Sequence, residues 1–163
     1  MTTTTNLSDI EPRLDFDALA PGVAAAVNRL DGAATAALDD AGIEPILREL
    51  VRVRASQLNG CAYCIDMHTK DARALGEAEH RLYALPAWRE TGYFSDREQA
   101  ALAFTEVVTQ LADTHVPAAA YADVAAVFKQ AEVAALLGLI MTINAWNTIG
   151  VATRAWTPGS YQP

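Results

Sequence analysis

The chain has two cysteines, Cys61 and Cys64, separated by two residues. They follow directly on Asn59-Gly60, a pair that predicts the end of one helix, so both sulfurs are expected in the first turn of the next helix. Unpaired backbone N–H groups and the positive end of the helix dipole stabilise an anion in that turn. Because a thiol reacts as its thiolate, this position predicts two sulfurs of raised reactivity.

A histidine shares the helix face of the two cysteines. His68 comes four residues after Cys64 and seven after Cys61, one and two turns further along. An imidazole at that position can relay a proton to or from a sulfur. A core histidine bonded to a backbone carbonyl is the alternative, and the shared face with both cysteines favours the relay.

Position alone does not assign separate roles to the two sulfurs. Cys61 lies nearer the start of the helix, which favours it as the thiolate. Cys64 lies one turn from His68, which favours it as the sulfur served by the relay. On the residues themselves the two arguments conflict, and the choice stays open.

One acidic residue on the preceding helix, Glu49, is a further candidate. It shares a helix face with Pro45, Arg52 and Ser56. A glutamate three residues before an arginine usually forms a solvated ion pair on the helix surface. By spacing alone we therefore expect Glu49 to be exposed and paired with Arg52.

The elements that carry these residues are predicted to be helices throughout, since no strand pattern competes with the helical spacing of apolar residues. Ser95 to Glu98 has the pattern of a capping box. Glycine, proline and capping residues place the boundaries of the predicted helices at about 21–30, 33–38, 45–58, 61–75, 77–85, 95–112, 117–129 and 131–154.

The last predicted helix has no charged residue between Val133 and Thr153, a length sufficient to cross a bilayer. It also contains Asn144 and Asn147, whose amides would each need a partner in lipid. We therefore predict a central or subunit-interface helix rather than a membrane span.

Length and composition favour a single domain and exclude several classes of protein. The 163 residues are 52% hydrophobic and 20% charged, which excludes a disordered chain. A net charge of −8 opposes binding to nucleic acid and to anionic membranes. We expect a flexible arm over residues 1–15 and one helical domain over 16–163. The N-terminus has no signal-peptide pattern and two cysteines make no disulfide scaffold, so a cytoplasmic protein is expected.

Four chemical positions are in the register of a known family. Glu49, Cys61, Cys64 and His68 follow the pattern E-x11-C-x2-C-x3-H, and the chain resembles alkylhydroperoxidase D-like proteins of the carboxymuconolactone decarboxylase superfamily. The neighbouring segments ELVRVRASQ, NGCAYC, MHTKDAR and INAWN are also similar to that family. The resemblance covers roughly residues 40–155.

The resemblance implies an all-α fold, a homo-oligomer (a trimer or hexamer) and a thiol peroxidase cycle without metal or haem. Its substrate would be an organic hydroperoxide or hydrogen peroxide, and its reductant a dithiol, a thioredoxin-like protein or a lipoyl group. It implies that Cys64 attacks the peroxide and that Cys61 resolves the product by forming a disulfide. Glu49 and His68 would carry the proton network.

One position departs from the pattern. Some family members have a histidine just before the second cysteine, where this chain has Tyr63, so the relay would rest on Glu49 and His68 alone. Tyr63 is interpreted as a packing aromatic. We expect His80 and His115 to be surface residues and the three tryptophans, Trp88, Trp146 and Trp156, to pack, with Trp146 a possible site or interface residue.

Three other functions remain open on the sequence. The first is the lactone or decarboxylase chemistry for which the superfamily is named, against which the complete cysteine pair argues. The second is a structural zinc site built from Glu49, Cys61, Cys64 and His68, although three of these ligands come from one helix. The third is a redox sensor that uses the same thiols without turnover.

Overall fold

The computed structural model describes residues 11–163, which form an all-α fold with no strand in that range. The expected fold class is therefore confirmed. The first ten residues of the predicted arm lie outside the described range. Residues 11–15 form no helix, and the backbone N–H of Arg13 donates to the Thr153 carbonyl at 2.7 Å.

Nine α-helices follow one another along the described chain, with a short 3-10 segment at Leu85–Glu90 between the fifth and the sixth. Their bounds are α1 Phe16–Leu19, α2 Pro21–Ala41, α3 Pro45–Asn59, α4 Ala62–Ala74, α5 Glu79–Ala84, α6 Asp96–Thr109, α7 Leu111–Thr114, α8 Ala118–Val127 and α9 Gln130–Thr153.

The predicted break near residue 31 is wrong, because α2 runs unbroken through Gly32. A glycine inside a helix costs only about 1 kcal/mol, which the packing of Ala24, Ala34 and Leu38 into the core outweighs. The capping box is confirmed: the Ser95 side chain accepts from the Glu98 N–H and the Glu98 carboxylate accepts from the Ser95 N–H. The helix that it starts ends at Thr109, slightly earlier than expected.

The central element is α9, which contacts α2, α3, α4, α6 and α8. Ten of its residues are buried, among them Leu136, Leu139 and Ile140 in the main core cluster. Among the described helices, α9 is the one whose length and composition would suffice to cross a membrane, and half of its most apolar window is buried inside the fold. This agrees with a core helix.

The amides of α9 bind side chains of α3. The Asn59 side-chain N–H₂ donates to the Asn144 oxygen at 2.6 Å and to the Asn147 oxygen at 2.9 Å. Asn147 in turn donates to the Ser56 hydroxyl at 3.0 Å. Hydrogen bonds between amides of two packed helices favour one register between them. This network holds the end of α3, and hence the cysteines that follow it, against α9.

Candidate active site

The junction between α3 and α4 places both cysteines. Gly60 adopts the left-handed conformation, with φ at 69°, and the Cys61 N–H donates to the Ser56 carbonyl at 3.0 Å, which ends α3. Cys61 is the N-cap of α4, and its sulfur accepts from the Cys64 N–H at 3.4 Å. The predicted helix start at the cysteine pair is therefore confirmed, and one backbone N–H of the first turn is directed at the Cys61 sulfur.

Cys61 and Cys64 are joined in a disulfide, with their Cα atoms 5.3 Å apart. Both residues are almost completely buried, at 2% and 3% exposure. They pack with Ala55 and Ile143 in a small apolar cluster. The structure therefore represents the oxidised form of the pair.

Cys64 and His68 line one cavity of about 360 Å³. Its walls are largely aromatic and apolar, and its charged lining residues are Asp31 and Arg52. The other lining residues are Asp31, Arg52, Tyr63, Met67, Ile143, Trp146 and Trp156.

Glu49 is buried at 6% exposure, so the expectation of a solvated ion pair is wrong. Its Oε2 atom lies 2.8 Å from His68 Nδ1, and its Oε1 atom accepts from the guanidinium of Arg52. The pairing with Arg52 was predicted correctly, but helix spacing could not show that α4 covers this face of α3. Tertiary packing brings Glu49 to His68.

The environment of Glu49 keeps it ionised. Burial by itself raises the pKa of this carboxyl group, because it disfavours the charged form. The hydrogen bond with His68 and the positive charge of Arg52 act in the opposite direction, and the pKa of Glu49 is lowered overall. A carboxylate at this position holds the imidazole in one orientation through the contact at Nδ1.

A second carboxylate approaches the same imidazole nitrogen. Asp71 Oδ2 lies 3.8 Å from His68 Nδ1, one turn along α4. The Tyr161 hydroxyl donates to Asp71 Oδ1 at 2.7 Å, and this bond raises the pKa of Tyr161 to about 12. The chain end is thereby attached beside the histidine.

The side chains that converge as potential metal ligands in the described part of the chain are Glu49, His68 and Asp71. The two sulfurs of the predicted zinc alternative are bonded to each other instead. A disulfide offers no thiolate ligand, so the oxidised form does not present that donor set.

Aromatic residues close the cavity wall. Tyr63 packs against Trp156 with ring centroids 5.5 Å apart, and Trp146 meets Trp156 edge to face at 5.9 Å. These residues both pack and line the cavity, which agrees with the expectation for Trp146. Trp88 is buried elsewhere and donates to Glu106. His80 and His115 are exposed and lie outside the cavity.

Sequence reasoning missed several residues of this site. Arg52 was expected only as the ion-pair partner of Glu49. Its position three residues after Glu49 is the one local signal that connects it with the site. Met67 and Asp71 lie beside His68 on α4, within the family-like segment MHTKDAR, but were not singled out. Asp31, Trp156 and Tyr161 come from distant parts of the chain and carry no motif of their own.

The structure defines an all-helical protein in which a disulfide cysteine and a histidine–carboxylate pair meet at one cavity. Comparison with known families agrees with this fold. The chain belongs to the carboxymuconolactone decarboxylase family, whose model matches residues 21–107, and within that superfamily it is alkylhydroperoxidase D-like. The expected resemblance is confirmed.

Relatives by sequence include two uncharacterised proteins. YdfG of Bacillus subtilis (strain 168) is 45% identical over 105 residues, which cover 64% of this chain and 71% of YdfG. YnjA of Escherichia coli (strain K12) is 30% identical over 67 residues, 41% of this chain and 37% of YnjA.

Solved structures share the fold. A protein of Agrobacterium tumefaciens, of unknown function and provisionally described as the antioxidant defence protein AhpD, superposes with a TM-score of 0.83 and 32% identity, covering 91% of this chain and 99% of that one. The debrominase Bmp8, solved with 2,3,4-tribromopyrrole, superposes with a TM-score of 0.71 at 16% identity, covering 87% of this chain and 74% of that one. At that identity the likeness to Bmp8 concerns the fold alone.

Proposed function

We propose that the protein is a thiol-dependent hydroperoxide reductase in which Cys64 attacks the peroxide and Cys61 resolves the product. The observation that carries this proposal is the position of Cys64 and His68 on one cavity, with His68 bonded to the buried Glu49 at 2.8 Å. A peroxide oxygen held in that cavity has a sulfur and a proton-carrying imidazole beside it.

In the first step the Cys64 thiolate attacks the terminal oxygen of the hydroperoxide, and the O–O bond breaks. The leaving alkoxide takes a proton from His68 and departs as an alcohol, while Cys64 becomes a sulfenic acid. Glu49 and Arg52 assist this proton transfer. The Glu49 carboxylate stabilises the positive charge of the protonated imidazole, and the Arg52 guanidinium compensates the negative charge of the carboxylate.

In the second step the Cys61 thiol attacks the sulfenic sulfur of Cys64 and water leaves, which forms the disulfide present in the structure. An external dithiol then reduces this disulfide and is itself oxidised to a disulfide. The cycle consumes one hydroperoxide and one dithiol for each alcohol and water produced.

The cavity suits an organic hydroperoxide better than hydrogen peroxide alone. The cavity offers a carbon chain or ring an apolar surface, which is formed by Met67, Ile143, Trp146 and Trp156. Its polar lining groups include Arg52 and His68. Apolar walls with few placed polar groups are typical of sites for small organic molecules.

The experiment is turnover of tert-butyl hydroperoxide with dithiothreitol by the intact protein and by the variants Cys61→Ser and Cys64→Ser. Both variants should lose turnover, and only the one that keeps Cys64 should still form a sulfenic acid that dimedone labels. Turnover that survives in both variants contradicts the proposal. Lactone turnover that persists after both thiols are alkylated would instead favour the decarboxylase chemistry.

We further propose a cytoplasmic location and a homo-oligomer. A reducing compartment supplies the dithiol that the cycle needs. Exposed apolar side chains on α2 and α9, among them Val23 at 54% and Met141 at 53%, offer surface for a second copy of the chain. Cell fractionation and light scattering coupled to size exclusion test these two statements.

A further inference from the structure

The two sulfurs of the disulfide open to different cavities. Cys64 lines the cavity that contains His68, whereas Cys61 lines a second cavity of about 260 Å³. Tyr63 and Trp156 line both cavities, and their packed rings form a shared wall. A molecule in the second cavity therefore meets Cys61 and not Cys64.

Gly150 lines the second cavity next to Cys61. A Cβ atom at position 150 would lie 3.1 Å from the Cys61 sulfur and 3.1 Å from the Trp156 ring. The absence of a side chain there leaves the sulfur in contact with the cavity. The second cavity therefore reaches the disulfide from the side of Cys61.

The charge of the second cavity is opposite to that of the whole protein. Its charged lining residues are Arg13 and Arg154, and no acidic side chain of the described chain lines it. The net charge of the protein is −8. Arg13 is held in place by its backbone bond to Thr153 and by a side-chain bond to the Ala152 carbonyl at 3.4 Å. Two cations at the mouth of a small cavity favour an anionic ligand.

We propose that the second cavity is the docking site of the reductant, and that it takes a dithiol carrying a negative charge, such as a carboxylate, which Arg13 and Arg154 attract. The need for a reductant rests on the proposed function. The separate place of docking and the charge preference rest on the two cavities and the two arginines.

The exchange reaction at this site is balanced. One thiolate of the donor attacks the Cys61 sulfur, the bond between Cys61 and Cys64 breaks, and Cys64 leaves as a thiolate on the side of the His68 cavity. The second thiol of the donor then attacks the donor sulfur of the mixed disulfide, and Cys61 is released and takes up a proton. The donor leaves as its disulfide, and the two cysteines have gained its two electrons.

The charge preference is tested with dihydrolipoate and its uncharged amide, which present the same dithiol with and without a carboxylate. The appearance of free protein thiols is followed for the oxidised protein without any hydroperoxide. Dihydrolipoate should reduce the protein about threefold faster than its amide does, because one or two exposed charge contacts have an effect of about that size. The preference should disappear in Arg13→Gln/Arg154→Gln and in roughly 0.5 M salt.

The matched control is Arg29→Gln, an exposed arginine of α2 that lines neither cavity, and it should keep the full preference. Equal rates for the acid and the amide in the unchanged protein, or an unchanged preference in the double variant, would overturn the charge assignment.

The site of attack is tested with an anionic monothiol, 2-mercaptoethanesulfonate, which stops at the mixed disulfide. After rapid acid quenching and maleimide labelling, peptide mass spectrometry should place the adduct on Cys61 and the maleimide on Cys64. The reverse distribution would overturn the proposal. This experiment uses no peroxide, so it gives a result even if the protein does not reduce hydroperoxides. Failure of the docking proposal can therefore be distinguished from failure of the proposed peroxidase function.

Discussion

The carboxylate of Glu49 and the imidazole of His68 lie 2.8 Å apart, although one residue belongs to α3 and the other to α4. Both are buried, and Arg52 binds the second oxygen of the carboxylate. Two adjacent helices thus build one buried, hydrogen-bonded cluster, and its histidine lines the same cavity as Cys64.

Replacing Glu49 with glutamine should lower kcat/KM for an organic hydroperoxide by about 100-fold, because general acid–base assistance is typically of that size. The amide keeps the shape of the side chain but does not stabilise a proton on His68. Steady-state kinetics with tert-butyl hydroperoxide measure the effect. Glu44→Gln, at an exposed glutamate just before α3, is the control and should remain active. Equal activity of both variants would contradict the relay.

Replacing Tyr161 with phenylalanine should remove a phenol that titrates unusually high. The bond to Asp71 raises the pKa of Tyr161 to about 12, so its hydroxyl stays protonated at the pH at which ordinary tyrosines ionise. Absorbance near 295 nm should show one late-titrating tyrosine, which is missing in the variant. The unfolding free energy should fall by about 1 kcal/mol, the value of one hydrogen bond.

The control for this experiment is Tyr83→Phe, at a tyrosine that is 75% exposed. This variant should still show the tyrosine that titrates at high pH in the absorbance near 295 nm. A high-pH tyrosine titration that persists in Tyr161→Phe would show that another tyrosine causes it.

Gly150→Ala should destabilise the protein although alanine favours a helix. The added Cβ would lie 3.1 Å from both the Cys61 sulfur and the Trp156 ring, closer than ordinary contact. Overpacking of this kind costs about 1–3 kcal/mol, which exceeds the gain of about 1 kcal/mol in helix propensity. Chemical denaturation should therefore show a net loss on the order of 1 kcal/mol.

Gly32→Ala is the matched control, since Gly32 lies inside α2 and a Cβ atom added there would meet nothing within 4 Å. This variant should gain about 0.5–1 kcal/mol, because alanine loses less backbone entropy than glycine when the helix forms. A gain of similar size in both variants would show that Trp156 yields without cost.

Glu106 should contribute to the pH dependence of stability. Burial raises the pKa of this carboxyl group, but hydrogen bonds from Trp88, Arg89 and Arg54 outweigh it and lower the pKa overall. A carboxyl group whose pKa is lowered by folding stabilises the protein fully when the pH is above the pKa of that group in the unfolded chain. This contribution is lost as the pH falls through the pKa of the group in the folded protein. The unfolding free energy should therefore decline below about pH 4.5.

Glu106→Gln should lose on the order of 3 kcal/mol at neutral pH, since it leaves the largely buried guanidinium of Arg54 without its carboxylate partner. The same variant should show a shallower decline of stability in acid. Thermal unfolding across pH measures both effects. Glu90→Gln, at an exposed glutamate, should match the unchanged protein, and a parallel acid decline in Glu106→Gln would refute the assignment.

Local signals in the sequence were sufficient for most helices. Asn59-Gly60 marks the end of α3 and so places the cysteines that follow at the start of α4, and Ser95 begins α6 through a capping box. Each of these depends on hydrogen bonds within a few residues, so the sequence carries the information nearby. The unbroken α2 was missed because long-range packing outweighs the local cost of Gly32.

The amino-acid sequence by itself determined the helical class, the start of α4 at the cysteine pair, and the family register that singled out Glu49. Only the tertiary structure decided that Glu49 is buried against His68, that Trp156 and Tyr161 return from the chain end to the site, and that each sulfur opens to its own cavity. The reason is physical: spacing along one helix defines which side chains share a face, but the packing of several helices defines what that face meets.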